Sequence, residues 1–121
     1  MLTKKNVSAA KSYAFALRII KLYRFLCDKQ KEFVLSKQLL RSGTAIGALI
    51  REAVQGQSRA DFLSKMNIAL KEANEAEYWL MLLHDSGYLS KKEYSSIQKD
   101  CNELLCLLVS IVKTTKSTLK K

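Results

Sequence analysis

The chain has 121 residues, of which 48% are hydrophobic and 26% charged, a length and balance that suit one folded domain and exclude wholesale disorder. It has no proline and only 4 glycines, which excludes turn-rich β architectures and favours long uninterrupted helices. The net charge of +10 is uneven: residues 1–60 carry 12 Lys/Arg against 3 Asp/Glu, whereas residues 61–121 carry 9 against 8. A positive field concentrated in one half points to a polyanionic partner, nucleic acid before membrane.

The helical pattern begins at about Val7, after a basic tail (1–5), with Asn6 or Ser8 as the expected cap. The first helix covers about 7–29. Phe15, Ile19, Leu22 and Leu26 form one apolar stripe, and Tyr13, Leu17, Ile20 and Cys27 form another beside it. Lys11, Arg18 and Lys21, with Arg24 nearby, make a basic strip. The second helix covers about 34–55, with a seam of Leu35, Leu39, Gly43, Ile46, Ile50 and Ala53. Lys37, Arg41, Thr44, Ala48 and Arg51 lie on another side. Glycine costs a helix about 1 kcal/mol relative to alanine. Gly43 and Gly47 therefore imply a close backbone approach, expected here against the alanines of the third helix.

Gly56 fits a helix end, and Ser58 with Asp61 resembles a capping box that opens a third helix over about 58–85. Its seam is Phe62, Met66, Ala69, Ala73, Ala76, Leu80 and Leu83, and Glu72, Glu75 and Trp79 lie on a neighbouring face. Ser86-Gly87 ends it, and Ser90 with Glu93 caps a fourth helix over about 90–116. That seam is Tyr94, Ile97, Cys101, Leu104, Leu108 and Ile111, with Leu105, Val109 and Val112 as a second strip. Second apolar strips on the first and fourth helices mark a protein interface. The remainder (117–121) is a basic tail expected to fray. Four helices with short connections specify an all-α, antiparallel up-down-up-down four-helix bundle.

No apolar run is long enough to span a bilayer and no signal-peptide pattern is visible, so the expectation is a cytoplasmic protein with no membrane partner. Cys27, Cys101 and Cys106 form no C-x-x-C pair and are expected to be buried, reduced thiols. Glu72 and Glu75 lack the Glu-x-x-His partner of a di-metal bundle. They are expected instead to pair with Arg41 or Arg51. His84 beside Asp85 has no nucleophile in a recognisable arrangement, and side chains of adjacent helical residues diverge by about 100°. No catalytic, cofactor or metal site is expected. Lys11, Arg18, Lys21, Arg24, Lys37 and Arg51 are the candidate phosphate contacts, with Lys4 and Lys5 as a flexible arm. The alternative partner for the same basic face is an acidic protein.

The stretch Leu35–Ala48, then Glu52-Ala53, Gln57-Ser58, Asp61-Phe62, Lys65-Met66, Ile68–Ala73, Glu75 and Tyr78-Trp79-Leu80, carries a resemblance. It resembles the small bacterial bundle proteins first noticed as reading frames inside intervening sequences of large-subunit ribosomal RNA genes. The likeness covers about residues 12–115, and Leu49 stands where that family has an asparagine after Gly-Ala. The resemblance implies a four-helix bundle that assembles into a homopentameric ring. It also implies kinship with the accessory proteins of diversity-generating retroelements, which work with a reverse transcriptase and nucleic acid, and no established enzymatic activity. Arg41, Gly43, Gly47, Glu72, Glu75 and Trp79 read as structural and assembly residues within it.

Overall fold

A computed structural model describes residues 3–119; Met1, Leu2, Lys120 and Lys121, expected as parts of basic tails, lie outside the described residues. Four α-helices follow one another: α1 (Lys4–Asp28), α2 (Leu35–Val54), α3 (Arg59–Asp85) and α4 (Lys91–Leu119). Cross-helix pairs give their relative directions. Lys4 meets Ser110, Lys11 meets Glu103 and Arg18 meets Asp100, so α1 and α4 run antiparallel. Arg41 meets Glu75 while Glu52 meets Lys65, which makes α2 and α3 antiparallel. Ile19 lies beside Gly43 and Ser12 beside Gly47, and Gln98 reaches Glu77 while Cys101 reaches Ala73, so the other two pairs are antiparallel as well. Each helix packs on its chain neighbours, α4 closes onto α1, and among the described residues the diagonal pairs do not approach. The bundle is all-α, antiparallel and up-down-up-down.

The apolar period of each helix supplies the core. Phe15, Ile19 and Leu26 of α1 are buried, as are Leu39, Ile46 and Ile50 of α2. So are Met66, Ala69, Ala73, Ala76, Leu80 and Leu83 of α3, and Ile97, Cys101, Leu104, Leu108 and Ile111 of α4. Burying each large side chain stabilises by about 1.5–3 kcal/mol relative to leaving it exposed. Burial pushes the Cys101 thiol up to about 12, with the Glu77 charge adding to it. Cys27 is only half-buried and Cys106 is exposed, so two of the three thiols are not the buried hydrophobes expected. Helical period alone does not say which of two adjacent apolar strips faces in. On α1 the second strip faces out at its start, where Tyr13 is 62% and Leu17 48% exposed, and is half-buried at Ile20 and Cys27. On α4 the second strip is divided, with Val112 buried and Val109 exposed.

The helix ends show how local chemistry fixes the boundaries. Thr3, not Asn6 or Ser8, caps α1, its Oγ1 accepting from Asn6 N–H at 3.2 Å. Lys4 and Lys5 are therefore helical rather than a loose arm. Ser58 accepts from Asp61 N–H at 3.0 Å to open α3. A reciprocal box opens α4, Glu93 N–H donating to Ser90 Oγ at 3.1 Å and Ser90 N–H to Glu93 Oε1 at 2.8 Å. Gly87, at φ 88°, closes α3: its N–H donates to His84 O at 3.0 Å and Tyr88 N–H to Leu83 O at 2.8 Å, the paired bonds of a Schellman end. Helix α4 continues past Lys116 to Leu119, since Thr115 is buried and Arg59 donates to Thr118 Oγ1 at 2.8 Å.

Glu32 begins α2 in a way its sequence position hides. Lys31 takes a left-handed φ of 55°, turning the chain so that the Glu32 carboxylate folds over the helix start. Its oxygens accept from Val34 N–H at 3.1 Å, Leu35 N–H at 3.0 Å and Ser36 N–H at 2.7 Å. Three of the helix's orphan donors are satisfied by one buried side chain. Burial by itself would raise the Glu32 pKa, but the backbone donors and the Ser36 hydroxyl outweigh it and hold the carboxyl below its usual range.

Candidate nucleic-acid interface

The α1/α4 seam is polar. Residues seven apart on α1 share a face, and Lys4, Lys11 and Arg18 use that face to reach α4. Lys11 Nζ donates to Glu103 Oε2 at 2.9 Å, and this bond and the carboxylate charge raise the lysine's pKa. Arg18 donates to Asp100 Oδ2 at 2.7 Å, to Ser96 Oγ at 2.9 Å and to Ser96 O at 3.2 Å. Two of the six candidate phosphate contacts thus already hold a carboxylate. Just beyond them, Lys21, Leu22 and Phe25 of α1 face Lys92, Glu93 and Ile97 of α4 across a groove of about 400 Å³. Glu93 is committed to its cap. Lys21 and Lys92 have no salt-bridge partner among the described residues. Sequence reasoning missed Lys92. The Lys91-Lys92 pair was visible, but its place beside Lys21 depends on α4 closing onto α1.

The remaining candidates lie elsewhere. Arg51 lines a second groove of about 500 Å³ between α1 and α2, floored by Ala9, Ala16, Gly47 and Ala48 and edged by the exposed Tyr13. Arg24 and Lys37 are exposed, and the register set by Ile19 on Gly43 brings them level on their two helices. Arg18 and Lys21 line one groove and Arg51 the other, while Lys11, Arg24 and Lys37 line neither, so the six do not form one patch.

The glycines pack against a different neighbour from the one expected. A Cβ on Gly43 would lie 2.9 Å from Ile19 Cγ1, and one on Gly47 3.3 Å from Ser12 Oγ. They let α1, not the alanines of α3, come close to α2. Arg41 does meet α3, reaching Glu72 Oε2 at 3.4 Å and Glu75 Oε1 at 3.1 Å. Arg51 does not take part. Glu52 with Lys65, at 3.2 Å, adds a further pair on the same side of the bundle. Trp79 is half-buried, edge-on to Tyr78 at 5.2 Å between centroids, and its enclosed indole N–H has no acceptor among the described residues. His84 and Asp85 approach to 3.2 Å despite their helical divergence, because they occupy the last turn of α3, and the imidazole stacks on Tyr94 at 4.5 Å. Among the described residues no three His, Cys, Asp or Glu side chains gather as metal ligands would, and no helix is long and apolar enough to cross a membrane.

These helices and their register agree with known proteins. A family model described as 23S rRNA-intervening sequence protein matches residues 4–110. The chain belongs to that family. A crystal structure at 1.70 Å of a protein from Bacteroides thetaiotaomicron VPI-5482, described as of unknown function and from the S23 ribosomal protein family, is 60% identical. It covers 92% of this chain and 99% of its own, with a TM-score of 0.90. No curated protein matches the chain. Leu49, where the resemblance leads one to expect an asparagine, is half-buried and packed against the core.

Proposed function

We propose that this member of the intervening-sequence family is a non-catalytic nucleic-acid-binding protein that works as a self-assembled ring. The observation that carries the reading is the α1/α4 groove. Two cations from different helices, Lys21 and Lys92, meet there without a carboxylate partner, and the groove's own acid is committed to a helix cap. The net charge of +10 and the family's link, through its description, to ribosomal RNA support the same partner class. Arg24, Lys37 and Arg51 extend the positive surface around α1 and α2. Lys11 and Arg18 would contribute by exchanging a carboxylate for a phosphate. The exposed Tyr13 and Leu17 beside a floor of small residues support self-association, and the pentamer is the number the family resemblance implies.

Contacts of this kind carry no base readout, so binding should be weakly sequence-specific and steeply salt-dependent. The test is a salt titration against random single- and double-stranded RNA and DNA, with Lys21→Glu/Lys92→Glu as the control. Strong binding at low salt that the double variant loses is expected. No binding at low salt would overturn the reading and leave an acidic protein, such as a reverse transcriptase in the manner of the related accessory proteins, as the partner to seek.

A further inference from the structure

A further cavity lies at the opposite end of the bundle from the α1/α4 groove. The start of α1, the α2–α3 turn and the last turns of α4 surround about 580 Å³, within the range of small-molecule sites. Lys4, Lys5 and Arg59 line it, and among the described residues no carboxylate does.

Each of these cations rests on a neutral partner. Lys4 Nζ donates to Ser110 Oγ at 2.6 Å. Lys5 Nζ sits 5.2 Å from the centroid of Phe62, itself a wall of the cavity. Arg59 donates to Thr118 Oγ1 at 2.8 Å. Three like charges around one concavity repel one another, and none has a salt-bridge partner among the described residues. An anion would turn that repulsion into attraction, and hydroxyls and an aromatic face are partners it can readily displace.

The floor is apolar, formed by Ala53, Val54, Phe62 and Ile111. A bare inorganic anion would leave this floor unused, and a purely apolar ligand would leave the cations unused. We propose that this end pocket binds an organic phosphomonoester, its phosphate held by Lys4, Lys5 and Arg59 and its organic body resting on Phe62 and Ile111. The pocket shares no residue with the α1/α4 groove, so the assignment stands apart from the proposed nucleic-acid surface.

The test is calorimetric titration of the full chain with adenosine 5′-monophosphate, with inorganic phosphate, and with one short oligonucleotide made with and without a 5′-phosphate. The nucleotide is expected to bind. Lys5→Ala and Arg59→Ala should each weaken it about tenfold, the worth of one charged hydrogen bond. Arg59→Lys should recover part of that loss, and Lys71→Ala, at an exposed position on α3 away from every groove named above, should leave the affinity unchanged. A preference for the 5′-phosphorylated oligonucleotide that Lys5→Ala abolishes would assign the phosphate to a strand end. Equal binding of the two oligonucleotides, with nucleotide binding retained, would assign it to a free nucleotide. The proposal is overturned if the nucleotide does not bind, if it binds the Lys5→Ala/Arg59→Ala variant as tightly as the parent, or if inorganic phosphate binds equally well.

Discussion

Helix α1 has two neighbours and meets them in opposite ways. Against α2 the contact is neutral and close, with Gly43 beneath Ile19 and Gly47 beside Ser12, so the spacing is set by backbone and stiff side-chain atoms. Against α4 it is polar and long-armed, spanned by Lys4, Lys11 and Arg18 with fewer close approaches of the backbone. The first kind of seam is indifferent to salt and intolerant of volume. The second is screened by salt and tolerant of substitution. Both grooves that hold candidate phosphate contacts border α1, but only the α1/α4 groove brings cations together from two helices.

The comparison can be broken most directly at Gly43. Gly43→Leu should destabilise by about 3 kcal/mol, because the added side chain must displace the fully buried, β-branched Ile19. Denaturant unfolding measures this, and a loss below about 1 kcal/mol would mean the seam is not close-packed.

At the start of the same seam, Glu32→Ala should cost about 2 kcal/mol at neutral pH by exposing three orphan N–H groups. The Glu32 pKa is lower folded than unfolded, so its contribution is present above the unfolded value. It is lost as pH falls through the folded value. The stability difference between the parent and Glu32→Gln should therefore shrink on acidification, and a difference that grew would reverse the assignment.

Gly47 offers a sharper contrast, since its added Cβ would meet the single rotatable hydroxyl of Ser12 at 3.3 Å. Gly47→Ala should stabilise by about 0.5 kcal/mol, the helix-propensity gain exceeding a small rearrangement. Thermal unfolding beside Gly43→Leu would show opposite signs one helical turn apart.

On the polar side the smallest change is expected. Arg18→Ala should cost only a few tenths of a kcal/mol, given partners about 40% exposed (side-chain values 41% and 39%), and the difference should vanish in about 1 M salt. A salt-independent loss would place Arg18 in the packing and not in the electrostatics.

The sequence made much of this legible, for reasons that differ by feature. The four seams follow from apolar period, which directly encodes burial, and Ser90 with Glu93 is a local signal read within one helical turn. The Arg41, Glu72 and Glu75 cluster was legible because opposite charges stood on facing helices adjacent in the chain. The glycines were read with the right purpose and the wrong neighbour, since period gives a face but not the helix lying across it. Glu32 escaped notice because a glutamate is not a usual cap and its role needs the left-handed turn at Lys31. Lys92 and the end pocket escaped for a topological reason: they join residues far apart in sequence that meet only after α4 closes on α1.

Trp79 gives the bundle an optical handle. The chain has 1 tryptophan, so its ultraviolet emission comes from a single indole in a known setting. That ring is half-buried and its N–H is shut away from water without an acceptor among the described residues, which should shift emission toward the blue. Unfolding would hydrate the indole and move the band to the red. Ligand entry at the end pocket, which Trp79 does not line, would leave its position nearly fixed. One fluorophore thus separates loss of the fold from events on its surface, without any label.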